Sequence, residues 1–148
     1  MPITPLTSPQ QIDRAVAEYE ANVRRAILYK MHYAGERCVI EARTSANFTD
    51  RTGNLRSSIG YVIVEDGRVV DKGGFEVVKG GSQGSAEGAK FISRVVAEFP
   101  KDIVLVVCAG MKYAAHVAAR GFNVTDSAEL LAQRLVPQIL PQLGLKKA

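Results

Sequence analysis

The sequence predicts an α+β domain, with a long amino-terminal helix and shorter helices packed on a small, mainly antiparallel β-sheet. Three observations carry this. Apolar side chains recur at helical spacing from Ile12 to Ala34. Residues 59–70 place two short apolar runs on either side of Asp66-Gly67, a dipeptide suited to a tight hairpin turn. Residues 103–108 form an uninterrupted apolar run between two further helical patterns. Long helix, hairpin, helix, strand and helix is the order expected of helices segregated onto an antiparallel sheet. Residues 1–148 read as one domain, large enough to bury a core without disulfides or metal.

Residues 1–7 are expected to be an extended arm, because Pro2, Pro5 and Pro9 disfavour helix in the residues before them. Ser8-Pro9-Gln10-Gln11 then starts a helix. Ser8 suits the cap, Pro9 the first helical position, and Gln11 can reach back to close a capping box. One face carries Ile12, Val16, Tyr19, Val23, Ala26 and Ile27, then less regularly Met31, Tyr33 and Ala34, and continues through Cys38, Val39 and Ala42. Gly35 is expected to bend or split this helix. Unbroken to Ala46 it would be roughly 57 Å long, so part of it is expected to meet another subunit.

Residues 48–58 read as a loop and 59–64 as a strand, with Tyr61 and Ile63 on one face and Val62 and Val64 on the other. Residues 68–70 begin the return strand, which 74–78 extend. Residues 73–88, and 79–88 above all, read as a flexible Gly-rich surface loop. Residues 89–99 form a short helix with Ile92, Val95, Val96 and Phe99 on one face, ended by Pro100. The run 103–108 is expected to be a central strand covered on both faces. Residues 113–119 read as one or two helical turns. Asp126-Ser127-Ala128-Glu129 reads as a second capping box, opening a helix with Leu130, Leu131, Leu135 and Ile139 that Pro137 should kink or shorten.

Little of the chemistry of catalysis is visible. Nineteen Lys and Arg against 15 Asp and Glu give a net charge of +4, but the basic clusters are no longer than Arg24-Arg25 and Lys146-Lys147. A nucleic-acid-binding module needs a longer basic stripe with interleaved aromatics, so it stands as the alternative reading. Cys38 and Cys108 are expected to be buried small apolar residues, not a bridge. Together with His32 and His116 they show no metal-ligand spacing, and no cofactor is expected. Cys108 with His116 is the sole nucleophile–base pairing worth naming, and it lacks an identifiable orienting group. The glycines of 73–88 lack the phosphate-loop pattern. No apolar run approaches a membrane span, and residues 1–10 have no signal-like apolar core, so assembly in a cytoplasm is expected.

Residues 51–59 carry a more specific pattern. They give a polar turn, a tight backbone at Gly53, an anchoring Leu55, and an Arg56 expected to point outward towards a partner carboxylate. Thr52, Gly53, Leu55, Arg56, Ser58 and Ile59 follow a long helix. Much later come Tyr113, Ala114, Val117 and Gly121, within residues 112–129. From about Ile12 to Leu140 this order resembles the tail-component family of long-tailed bacteriophages, whose members are described as tail-completion, neck or head–tail joining proteins. The chain departs from the family in having Asn47-Phe48-Thr49 where a Pro is common, and Ala118 where many members have Glu.

The resemblance implies a structural protein of the virion tail or neck, assembled in the host cytoplasm and acting as a homo-oligomeric ring without catalysis. It implies other phage tail or neck proteins as partners, DNA at most through the ring lumen, and neither membrane nor small-molecule substrate. Thr52, Gly53, Leu55, Arg56, Ser58, Tyr113, His116, Val117 and Gly121 are the motif residues and candidate interface positions.

Overall fold

The structure is a computed structural model describing residues 3, 6–111 and 114–143, except the side chain of Leu140. Its elements are α1 (Pro9–Thr44), α2 (Asn54–Ser57), β1 (Ile59–Glu65), β2 (Arg68–Gly74), α3 (Ser82–Val96), β3 (Ile103–Ala109), α4 (Ala114–Ala119) and α5 (Asp126–Gln142). This is the α+β arrangement expected.

Helix α1 starts with the capping box read in the sequence. Ser8 Oγ accepts the Gln11 amide at 3.2 Å, and Gln11 Oε1 accepts the Ser8 amide at 2.8 Å. The helix runs unbroken for 36 residues, about 54 Å at 1.5 Å per residue. Gly35 does not split it. A Cβ there would lie 2.6 Å from the Tyr61 ring, so the glycine lets α1 approach the sheet.

The three strands lie in the order β2-β1-β3, and both pairings are antiparallel. Asp66 (φ 49°) and Gly67 (φ 80°) supply the two left-handed residues of the hairpin turn. The central strand is therefore β1, not the run beginning at Ile103 as the sequence suggested. Tyr61, Val62, Ile63 and Val64 have no exposed surface, whereas β3 takes an edge and is mostly half-buried. Tyr61 pairs with Val107 and Val62 with Val106, so their side chains alternate between two cores. On one face Ile59, Tyr61 and Ile63 meet Cys38, Val39 and Ala42 of α1 and Ala128 of α5. On the other, Val62, Val64 and Cys108 meet Phe75 and Ile92. Both cysteines are buried and free.

Strand β2 ends at Gly74 and does not continue over 75–78. Gly74 (φ 75°) and Phe75 (φ 55°) turn the chain, and the Phe75 ring comes to lie against Gly60 and Gly88. The expected flexible loop over 73–88 is also corrected, because residues 82–88 are the first two turns of α3. Their glycines are required by close packing. A Cβ would lie 2.3 Å from the Gly53 carbonyl oxygen at Gly81, 1.8 Å from that of Asn54 at Gly84, and 2.4 Å from the Phe75 ring at Gly88.

Helix α5 begins at Asp126, so Asp126 is its first helical residue and not its cap. Asn123 does the work expected of a capping box at Asp126. Its Oδ1 accepts the Ser127 amide at 3.1 Å, and its Nδ2 donates to the Ser45 carbonyl at 3.0 Å, tying the end of α1 to the start of α5. Pro137 does not shorten the helix, which continues through Pro141 to Gln142. Both prolines are exposed, as is Gln133. The carbonyls that lose their helical donors are those of Gln133 and Pro137, at positions open to water.

Candidate functional site

The two sequence motifs meet in one small core. Leu55 of α2 and Ala114 of α4 are buried together with Phe48 and Val124, and Val117 packs against them. Residues about 60 positions apart thus share one apolar cluster. Asp50 Oδ2 accepts the Arg56 amide at 2.9 Å and so satisfies a free amide of the short α2, which interrupts the loop expected over 48–58.

Arg56 does not point outward. Its guanidinium lies 3.9 Å from the buried Asp50 carboxylate and 5.0 Å above the Phe48 ring, and its side chain is only 20% exposed. The partner expected on another subunit is supplied within the chain. Beside it Arg43 donates from Nε to the Arg56 carbonyl and from a terminal nitrogen to the Ile59 carbonyl, both at 3.2 Å, and pairs with Glu76. This clamp of α1 on the entry to β1 had no counterpart in the sequence reading.

The other motif residues divide by accessibility. Gly53 is buried with φ 76°, and a Cβ there would lie 1.9 Å from the Val78 carbonyl oxygen. Leu55 and Ser58 are also buried, and Ser58 Oγ donates to the Leu55 carbonyl at 2.7 Å. Thr52, His116 and Gly121 are exposed, and Gly121 (φ 85°) closes α4 by donating to the Ala118 carbonyl. Tyr113 lies outside the described residues. A partner can therefore reach Thr52, His116 and Gly121, while Gly53, Leu55, Arg56 and Ser58 hold the local fold.

A polar cluster absent from the sequence reading joins α1 to the hairpin. His32 Nδ1 lies 2.9 Å from Asp71 Oδ2 and 2.5 Å from Tyr61 Oη, and Tyr61 Oη donates to Glu36 Oε1 at 3.1 Å. An ionised Asp71 can only accept, so the arrangement suits the tautomer with its proton on Nδ1, while the phenol proton goes to Glu36. Burial, then the bond to Glu36 and the nearby carboxylates, pushes the Tyr61 phenol well above its ordinary range. His32 and Glu36 sit four residues apart on one helix face, which was visible in the sequence. That Tyr61 and Asp71 would face them depended on the hairpin register.

Among the described residues, nothing around Cys108 activates its thiol. Burial pushes its thiol up to about 11, the opposite of the lowered pKa a nucleophilic thiol needs. The depression beside it is lined by apolar residues such as Phe91, Val107, Ala114 and Val124, without His116. Among the described residues no group of three or more His, Cys, Asp or Glu is placed to hold a metal ion. No helix among them is long and apolar enough to cross a membrane.

Uncovered apolar features lie along α1. Before Val23 every residue of the helix is exposed, and Ile12, Val16 and Tyr19 retain 52%, 50% and 70% of their surface. Arg24 makes a two-pronged ion pair with Glu65 at the end of β1, its Nε 2.7 and 3.0 Å from the two carboxylate oxygens. That pair marks where the helix leaves the body. Next to it, an apolar groove of about 330 Å³ runs between α1 (Ile27, Met31), β3 (Ile103, Leu105) and α5 (Val136, Ile139). No family model, curated protein or solved structure matches the chain.

Proposed function

We propose that the chain is a structural virion-assembly protein that completes a phage tail or joins head to tail at the neck. In this reading it acts as an oligomeric ring in the virion, without turnover, after assembly in the bacterial host cytoplasm. The observation that carries it is the amino-terminal half of α1, a helix projecting from the body with Ile12, Val16 and Tyr19 uncovered along one side. A contiguous apolar surface of this kind marks a site of association. The motif segments 51–59 and 112–129, on which the resemblance rests, contribute Leu55 and Ala114 to a common core. Partners on this reading are further copies of the chain and other tail or neck proteins, with DNA only passing through the lumen.

The nucleic-acid-binding alternative draws less support. Arg24, Arg43 and Arg56 are all engaged by carboxylates of the same chain. The test is light scattering of the purified protein, followed by electron microscopy with tail tubes. Rings, alone or on tube ends, are expected. A strict monomer that never associates with tails would overturn the proposal, and salt-sensitive binding to duplex DNA would favour the alternative.

A further inference from the structure

We infer that the projecting half of α1, residues 9–23, seats its apolar stripe in the groove between α1, β3 and α5 of a second copy of the chain. The occupant must come from another molecule. The stub and one wall of the groove belong to the same unbroken helix, so the stub cannot fold back onto its own Ile27 and Met31. The Arg24–Glu65 pair further fixes the helix where it leaves the sheet.

Charge complementarity supports a second copy as the partner. The stub carries Asp13, Glu18 and Glu20 against Arg14 alone. The groove is lined on one side by Lys30. An acidic helix with an apolar stripe thus faces an apolar groove with Lys30 at its edge. Tyr19, Val23 and Ile27 also line a second depression with Ile103, so stripe and groove are continuous along α1. The inference names the contact between copies and rests on the assembly proposal only for closure of those contacts into a ring.

The test is disulfide trapping between singly substituted chains. Val16→Cys and Val136→Cys change residues that are 50% and 44% exposed, and the native Cys38 and Cys108 are buried, so the fold should persist and circular dichroism checks it. Mixing the two variants under mild oxidation should give a cross-linked pair that neither gives alone. Pairing Val16→Cys with Val69→Cys on β2, a control at the opposite sheet edge, should give none. Adding Tyr19→Glu to the Val16→Cys chain should cut the cross-link yield at least about tenfold, as expected for an aromatic anchor at an interface centre.

Absence of the Val16–Val136 cross-link at the highest soluble concentration overturns the inference. So does a stronger cross-link from Val16→Cys alone, which would mean that stubs pair with one another. Scattering separates this from the assembly proposal. The cross-link in a species limited to two copies upholds the contact and counts against the ring. Rings on tail tubes without the cross-link uphold assembly and reject this contact.

Discussion

Replacing Gly84 with Ala tests whether the glycines after β2 pack a helix or loosen a loop. The two possibilities predict opposite signs. In a flexible loop, or in a helix with room for a methyl group, Gly→Ala should be neutral or stabilising by roughly 0.4–1 kcal/mol. Here the added Cβ would lie 1.8 Å from the Asn54 carbonyl oxygen and 2.6 Å from its Cα. These are backbone atoms of α2 and cannot rotate away. Moving α3 outward would also stretch the bond from the Gly84 amide to Asn54 Oδ1, now 2.9 Å. Overpacking costs roughly 1–3 kcal/mol and the weakened hydrogen bond about 0.5–1.5, against a helix-propensity gain of about 1. The net expectation is a loss of roughly 1–3 kcal/mol, or a fall in Tm of about 3–10 °C for a chain near this size. Thermal and urea unfolding followed by circular dichroism would measure it, with Ser82→Ala at an exposed position of the same helix as reference. An unchanged or raised Tm would refute the packing argument.

Three further outcomes are expected. Tyr61→Phe keeps the buried ring and removes the hydroxyl that donates to Glu36 and contacts His32; it should cost roughly 0.5–2 kcal/mol in urea unfolding, since the acceptor is charged but partly open to water. Arg43→Ala strips a donor from the Arg56 and Ile59 carbonyls and should destabilise by roughly 1–3 kcal/mol, with Arg43→Lys failing to restore it because an ammonium cannot reproduce the fork. The Cys108 thiol, raised by burial to about 11, keeps its proton in the folded chain at pH values where the unfolded chain loses it. Its stabilising effect is therefore complete below the ordinary thiol range and is lost as pH rises towards 11, on the order of 2 kcal/mol. Cys108→Ala should flatten that alkaline slope, and native protein should resist iodoacetamide at pH 8. Rapid alkylation of Cys108 without unfolding would contradict the burial.

The elements that were legible are those written in local pattern. The Ser8–Gln11 box, the Asp66-Gly67 turn and the alternation of Tyr61 and Ile63 against Val62 and Val64 each need only neighbours in sequence, and each is present. What was missed depended on contacts across the chain. An apolar run such as 103–108 reads the same whether it is central or at an edge; the pairing of β1 with both β2 and β3 put it at the edge. Glycine carries the same local signal in a mobile loop as in a crowded helix. Gly81, Gly84 and Gly88 revealed their role only beside Gly53, Asn54 and Phe75. Arg56 looked outward in sequence because Asp50 and Phe48, which hold it, are placed by the turn that α2 introduces.

Helix α1 shows the same limit from the other side. Periodicity identifies the apolar side of a helix and says nothing about which molecule covers it. Ile12, Val16 and Tyr19 belong to the same helical apolar pattern as Cys38, Val39 and Ala42, yet the first set is half or more exposed and the second is buried. Single exposed apolar residues are ordinary on a protein surface. A run of them on one side of a projecting helix is not, because covering the half or more of each side chain that remains exposed contributes roughly 1–2 kcal/mol. For a domain whose net stability is on the order of 5–15 kcal/mol, three unsatisfied side chains in one stripe are a large reserve of association energy. The Arg24–Glu65 pair ties the helix to the sheet just beyond that stripe, so in the contact proposed above it is a second copy of the chain that covers it.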